Sequence, residues 1–481
     1  MIGSDNTAIA AKTKQTKLTE NANTPLNARQ NRSWGSYTAF LFAAIGSSIG
    51  LGNLWKFPYE LGEHGGTFLS VYIVCVILVA FPLIISELMI GRLGQANPLR
   101  SVGKIVEEYR ISVLWQSICW LGVLTSFLIF SFYSVVASWV LFYTMQSVTG
   151  AFVDAPAEIV VHSFGALLRN TDQMLIWHTV FVLMVVSVLS QPVRLGLERA
   201  LRLLMPVFVI FVVWLYYNVA NVGDVDAALD FMFRFSWNEV TPELVVSALS
   251  QALFSMSIGV GILMLYGSYL SEDRPLLLGA GAIAVFDTLF ALVMATFIFS
   301  IVFSFDLQAD VGPSLIFETL PVAFSQMSEA NSWAAGSFFM LLLIAALTSG
   351  FALLEPAIAM LVDRTQWSRR TVAWLIGTIA WALGLLSVFS FQGQTFSFYY
   401  FGREYENGYF DLFNLLSTDI LLPLTALTIT VFAAWVLPSE ISFDKSNLRP
   451  AFTYRIWRFC SRFIAPLIIS LVLLLVLALP A

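Results

Sequence analysis

Two runs rich in glycine and serine and one isolated carboxylate carry the chemistry this sequence offers. The first run is Gly46-Ser47-Ser48-Ile49-Gly50-Leu51-Gly52-Asn53 and the second is Ser255-Met256-Ser257-Ile258-Gly259-Val260-Gly261, each midway along an apolar stretch. A single glycine cluster in such a stretch often does no more than admit a neighbouring helix. Two at comparable depth point to helices opened inside a bilayer, where exposed carbonyls and amides find no water and must meet other partners. Unwound carbonyls suit a small cation, and the amino ends of half-helices present positive dipole character to an anion. The hydroxyls of Ser47, Ser48, Ser255 and Ser257 and the amide oxygen of Asn53 add oxygen ligands. Asp287 stands in the middle of the apolar run 277–304. A carboxylate there costs roughly 3 kcal/mol on insertion scales, so it is expected to face the bundle interior and meet a cation or carry a proton. Glu87 and Glu355 are similar acids nearer the ends of their runs. Thr348 and Ser349 are either further ligands or hydroxyls bonded back to their own helix.

The elements that must hold these groups are membrane helices. Of the 481 residues, 58% are hydrophobic and 12% charged, with mean hydropathy +0.79, too apolar for a soluble surface. At roughly 20 residues per span, eleven spans are predicted, near 35–58, 67–90, 113–146, 175–191, 203–220, 242–270, 277–304, 333–361, 371–390, 410–436 and 463–479. The predicted class is an all-α polytopic membrane protein, because barrel strands are far shorter than these runs. The domains are a cytoplasmic tail (1–33), a first half (34–220), an extracellular loop (221–241), a second half (242–436), and a cytoplasmic loop with the last span (437–481). Lys and Arg cluster in the tail and in alternate loops, whereas 59–66 and 305–332 carry acids and no Lys or Arg. The positive-inside rule then places the amino terminus in the cytoplasm and, with eleven spans, the carboxyl terminus outside. Spans one to five and six to ten cross in opposite senses, so breaks in the first member of each half predict a 5+5 inverted repeat with discontinuous helices 1 and 6. The net charge of −6 and its scatter give no support for nucleic-acid binding. Three unpaired cysteines indicate neither disulfide framework nor metal site, and the three histidines, taken to lie near loops, offer no nucleophile–base set, so no enzyme is expected.

Taken together, Trp34, the run Gly50-Leu51-Gly52-Asn53-Leu54-Trp55-Lys56-Phe57-Pro58-Tyr59, Gly65-Gly66, Glu87 with Gly91-Arg92, Gly196 with Pro206, Gln251, Phe254, Ser257 and Thr348-Ser349 resemble the neurotransmitter:sodium symporter family over nearly all of 34–479. The resemblance implies two sodium sites. The first would use Ser48, Asn53, Ser255 and Asp287 with the substrate carboxylate, and the second Gly46, Ile49, Ala345, Thr348 and Ser349. It also implies an amino-acid substrate, its carboxylate on the amides of Leu51 and Gly52 and on the Tyr133 hydroxyl. The amine would meet Ser48, Phe254, Ser255 and Ser257, with Ile129, Val260, Ser349 and Leu353 around the side chain and Phe254 as a lid. Glycine at position 50, where monoamine carriers place aspartate, argues for a carboxylate-bearing substrate. Asp287 in place of the asparagine of chloride-dependent members argues for chloride-independent transport at a plasma (inner) membrane. An outer gate would pair Lys56 with Asp411, Asn414 standing at the aligned position. An inner gate would use Arg32, Trp34, Tyr269 and Asp363. An osmolyte such as taurine or a betaine, or a sensor or channel on the same scaffold, is the alternative. The oligomeric state is left open.

Overall fold

A computed structural model describes residues 37–152, 155–219, 223–271, 274–307, 314–327, 333–392, 396–400 and 403–478. The predicted tail, with Arg32 and Trp34 of the inner gate, lies outside the described residues. Helix α1 (Tyr37–Ser48) stops at a bend over residues 49–50. The chain resumes through a π-helical turn, Gly52–Lys56, into α2 (Phe57–Cys75) and, after Val76–Ala80, into α3 (Phe81–Gly94). Gly65, at φ 63°, breaks the helical geometry inside α2 and separates the first two predicted spans. Then come α4 (Ser117–Val148), α5 (Thr171–Leu189) and α6 (Leu197–Val219). Helices α7 (Pro242–Ser255) and α8 (Ile262–Ser268) flank a non-helical stretch at 256–261. The chain continues as α9 (Leu276–Ser304), α10 (Trp333–Thr365), α11 (Arg369–Phe389) and α12 (Gly408–Asn414), the last joined through Leu415–Leu421 to α13 (Leu422–Val431). It ends in α14 (Ala451–Phe459) and α15 (Ala465–Ala478).

Among the described residues, nine continuous helical stretches are long and apolar enough to cross a membrane. The remaining two predicted spans, the first and the sixth, are the ones each divided into two pieces. A bilayer tolerates that only where the freed backbone is enclosed by protein, and Leu51, Leu54, Met256, Ile258 and Val260 are all buried. The outward faces are apolar, with Ile210, Val213, Val285 and Leu474 more than half exposed, the reverse of a water-facing surface.

Some expected boundaries move. Helix α6 begins six residues before the predicted 203, because Arg199 and Arg202 lower the hydropathy of its first turns without opposing helix. Arg202 instead pairs with Glu198 one turn back, at 2.5 Å. The predicted loop 221–241 contains a helix, Val225–Phe233, capped by Asp224 on the Ala227 amide and burying Ala228 and Met232. Nine residues are too few to register as a span. His178 is not near a loop: it is fully buried within α5, its Nε2 3.0 Å from Ser134 Oγ.

Glycines set a close crossing of α3 and α8. A Cβ on Gly91 of α3 would stand 1.8 Å from the Met264 carbonyl oxygen, and one on Gly267 of α8 would stand 2.4 Å from the Leu88 carbonyl oxygen. Each helix thus presses its backbone into a gap the other provides, the mode by which apolar helices associate where lipid removes the hydrophobic drive. Gly267→Ala is expected to destabilise the protein by about 1–3 kcal/mol through overpacking. This would be read as a lower melting temperature in detergent, with Gly281→Ala, where a Cβ meets nothing within 4 Å, as the unaffected control. Equal melting of the two variants would show that the crossing has slack.

Candidate ion and substrate site

The two breaks meet at Asp287. This residue is fully buried in α9, and its carboxylate gathers groups from both. Asn53, just past the first break, donates through Nδ2 to Asp287 Oδ1 at 2.8 Å and to its carbonyl at 3.3 Å. Ser255, at the edge of the second break, donates to Oδ2 at 3.0 Å. Tyr72 of α2 reaches Oδ2 at 3.4 Å. These donors are neutral, while the Asn53 amide oxygen is buried with no hydrogen-bond partner among the described residues. A buried orphan acceptor beside a carboxylate and a hydroxyl is a set of hard oxygens suited to a small cation. Sodium fits this donor chemistry.

The breaks are tied directly as well. Gln251 Nε2 donates to the Gly52 carbonyl at 2.8 Å, and the Ser257 hydroxyl donates to the Ser47 carbonyl at 3.0 Å. A Cβ on Gly52 would lie 3.2 Å from the Phe254 ring and 3.3 Å from Ser255 Cα, so the two segments pass nearly in backbone contact. Within 256–261 the chain takes positive φ at Ser257 (54°), Gly259 (83°) and Gly261 (85°). Glycine takes that conformation freely; for serine it is uncommon. Glu87 closes the opening from α3 by accepting the Gly259 amide at 2.7 Å. One of the freed backbone donors is thereby satisfied within the bundle.

On the other side of the first break lies α10. Gly46, Ile49, Ala345, Thr348 and Ser349 are all buried, and Gly46 packs against Met205 of α6, whose Sδ would lie 2.8 Å from a Cβ there. Thr348 donates back to the Ala345 carbonyl at 3.0 Å, and Ser349 Oγ lies 3.5 Å from the Ser47 carbonyl. Ser48 likewise donates back to Ile45, at 2.9 Å. A Cβ at Gly50 would stand 2.1 Å from Ser349 Oγ. Here the room left by glycine is filled by that hydroxyl.

Most of the expected substrate-pocket residues are enclosed by protein, while Phe254 and Ser257 stay partly exposed. Ile129, Tyr133, Leu51, Gly52, Val260 and Leu353 are buried. Tyr133 donates to the Ala346 carbonyl at 3.1 Å, and Ser126 of α4 donates to the Leu353 carbonyl. A cavity of about 950 Å³ opens on the far side of Phe254, lined by Lys56, Phe254, Phe132, Asp411 and Asn414 among others. The Lys56 ammonium sits 5.3 Å from the centre of the Phe254 ring, a cation held over the aromatic face. Asp411 accepts from the Asn407 amide at 2.9 Å and from its Nδ2 at 3.3 Å, and the Asn414 carbonyl accepts the Thr418 hydroxyl at 2.8 Å. Lys56 and Asp411 therefore line one cavity.

At the opposite end, Asp363 accepts from Asn97 Nδ2 at 2.6 Å, and Tyr269 is half-buried at the end of α8. Glu355 is held by Arg369, which donates to Oε1 at 2.9 Å and also to the Gln191 carbonyl at 2.7 Å. Glu355 is thus paired with the first residue of α11, while the residue after Glu355, Pro356, packs near the second break, 3.8 Å from where a Cβ on Gly261 would stand. Tyr72 escaped the sequence reading. A tyrosine inside an apolar run, whose hydroxyl must find a partner there, was the signal available.

The sequence model for the "Sodium:neurotransmitter symporter family" matches residues 31–164 and 158–479. A sodium-dependent transporter of Bacillus subtilis, YhdH, of uncharacterised specificity, is 31% identical over 450 residues, covering 92% of this chain and 96% of its own. A similarly described protein of Haemophilus influenzae is 28% identical over 453 residues, covering 93% and 98%. The crystal structure of MhsT in complex with L-phenylalanine superposes with a TM-score of 0.85 at 33% identity, covering 92% of this chain and 99% of that one. Helices broken at matching depth, a buried carboxylate joining the breaks, and these matches along nearly the whole chain lead to one conclusion: the chain belongs to the sodium:neurotransmitter symporter family, and is a multi-pass membrane transporter rather than an enzyme.

Proposed function

We propose that the chain imports a neutral, hydrophobic L-amino acid by alternating access, driven by two sodium ions and independent of chloride. The observation that carries the reading is the Asp287 carboxylate, buried among neutral donors from both breaks beside the orphaned Asn53 oxygen. A sodium ion at Asn53, Ser255, Asp287 and the Ser48 carbonyl would neutralise that charge, and the substrate carboxylate on Leu51, Gly52 and Tyr133 would complete its shell. Ion and substrate then stabilise each other. The second sodium would lie among Gly46, Ile49, Ala345, Thr348 and Ser349. For it to bind, Thr348 and Ser349 turn from their present carbonyl partners toward the ion. Ser257 and the Phe254 carbonyl would take the amine.

Apolar side chains around the pocket (Ile129, Val260, Leu353) and the phenylalanine bound by MhsT support a hydrophobic substrate. Eleven spans, an inner-membrane location, a cytoplasmic amino terminus and an external carboxyl terminus complete the reading, on the distribution of Lys and Arg. Phe254 would then separate the site from an outward cavity, with Lys56 and Asp411 on the cavity wall. Tyr269 and Asp363 would belong to the inward closure.

In proteoliposomes with an inward sodium gradient, labelled hydrophobic amino acids are expected to accumulate and to be displaced by other neutral amino acids. Preference for taurine, a betaine, a monoamine or a charged amino acid would refute the substrate class. Reciprocal coupling of about 1–3 kcal/mol predicts that saturating sodium tightens amino-acid binding by about 5–150-fold in a thermal-shift titration, and that Asp287→Ala removes this gain. Because the fixed carboxylate supplies the negative charge, gluconate in place of chloride is expected to leave wild-type uptake unchanged. A strong loss would overturn chloride independence.

A further inference from the structure

A second cluster of ligand-type side chains lies away from the breaks, on the last turn of α2 before Gly65. Glu60, Glu63 and His64 stand at positions i, i+3 and i+4, which share one helix face. They offer three ligand atoms within 4.8 Å of one another, and all three residues line the wide cavity beyond Phe254.

The cluster is oriented rather than merely acidic. Glu60 is only 7% exposed, and Ser247 of α7 donates a hydrogen bond to its Oε2. His64 stacks on Phe68 one turn along, with ring centroids 6.4 Å apart, and this turns Nε2 to within 3.9 Å of the same Glu60 oxygen. A ligand held by an outer hydrogen bond and an imidazole fixed by packing are the supports that metal sites use to hold their first shell.

We propose that Glu60, Glu63 and His64 form a binding site for a divalent transition cation of the zinc class, facing the wide cavity. One imidazole and two carboxylates are a three-ligand set that leaves the fourth position to water from the cavity. The imidazole selects against magnesium and calcium, which take oxygen ligands. Bonds of about 2.0–2.2 Å require the three ligand atoms to close on a common centre. Glu63 is exposed and His64 half-buried, so both border the water of the cavity, and a small rotation of the Glu63 side chain toward the Glu60–His64 pair brings the three together. The site shares no ligand with the region around Asp287.

The test is a thermal-shift and calorimetric titration of the full chain in detergent with zinc chloride, using magnesium and calcium chlorides as controls. The assay contains neither sodium nor amino acid, so its outcome is independent of the transport reading. Zinc is expected to bind the wild type at one equivalent and raise its melting temperature, with no response to the other two cations. His64→Ala should weaken zinc binding by at least about tenfold, and His64→Cys, which restores a zinc ligand, should recover it. Equal zinc affinity in wild type and His64→Ala, no zinc binding by the wild type, or an equal response to magnesium would each overturn the proposal.

Discussion

A carboxylate with no exposure, set in the middle of a helix surrounded by hydrocarbon and packed protein, is the constraint around which this structure is organised. Asp287 is too costly to leave unmet, and the groups that meet it come from three elements far apart in the chain: Asn53, Tyr72 and Ser255. Holding Asn53 and Ser255 on one carboxylate brings both helix breaks to the same point. Those donors are neutral, so the site is left electrostatically incomplete where the chain opens its backbone. In a family of sodium-dependent transporters, a cation that completes the charge is also a cation that favours the arrangement of both breaks.

Opening two helices in a membrane leaves polar backbone that must be enclosed. The second break is closed by Glu87 on the Gly259 amide and by Ser257 on Ser47. The first is closed by Gln251 on the Gly52 carbonyl. Glycine makes the enclosure tight: Gly52 lies against Ser255, and Gly50 receives the Ser349 hydroxyl. Around this centre the whole helices α3, α4, α9 and α10 act as a frame, and the Gly91 and Gly267 crossing fixes α8 to α3 without intervening side chains. Such contacts have little room to deform gradually, and packed elements of this kind change by discrete steps.

Depth orders the remaining chemistry. Tyr133, Val260 and Leu353 are buried, and the wide cavity is lined by Phe254, under the ammonium of Lys56. At the other end, the Glu355–Arg369 pair clasps the turn between α10 and α11 and reaches the Gln191 carbonyl, next to the start of α6. There a Cβ on Gly196 would come 2.3 Å from the Val188 carbonyl oxygen.

The sequence by itself determined the class, the two breaks and the buried carboxylate on which they meet. Hydropathy, glycine runs at mid-span and a carboxylate in an apolar run are local signals, readable because a bilayer punishes every local exception. The start of α6 and the helix Val225–Phe233 were hidden because charge and short length mask helices from hydropathy, and His178 because burial of an isolated polar ring depends on neighbours. Only the tertiary structure decided which partners meet. It is packing between distant helices that puts Tyr72 on Asp287, turns the Ser349 hydroxyl into the space beside Gly50, seats Lys56 over Phe254 while Asp411 bonds Asn407, and pairs Glu355 with Arg369. A side chain's type limits what it can bond. Which of the permitted partners it takes depends on how helices separated by hundreds of residues cross, and no local pattern encodes that.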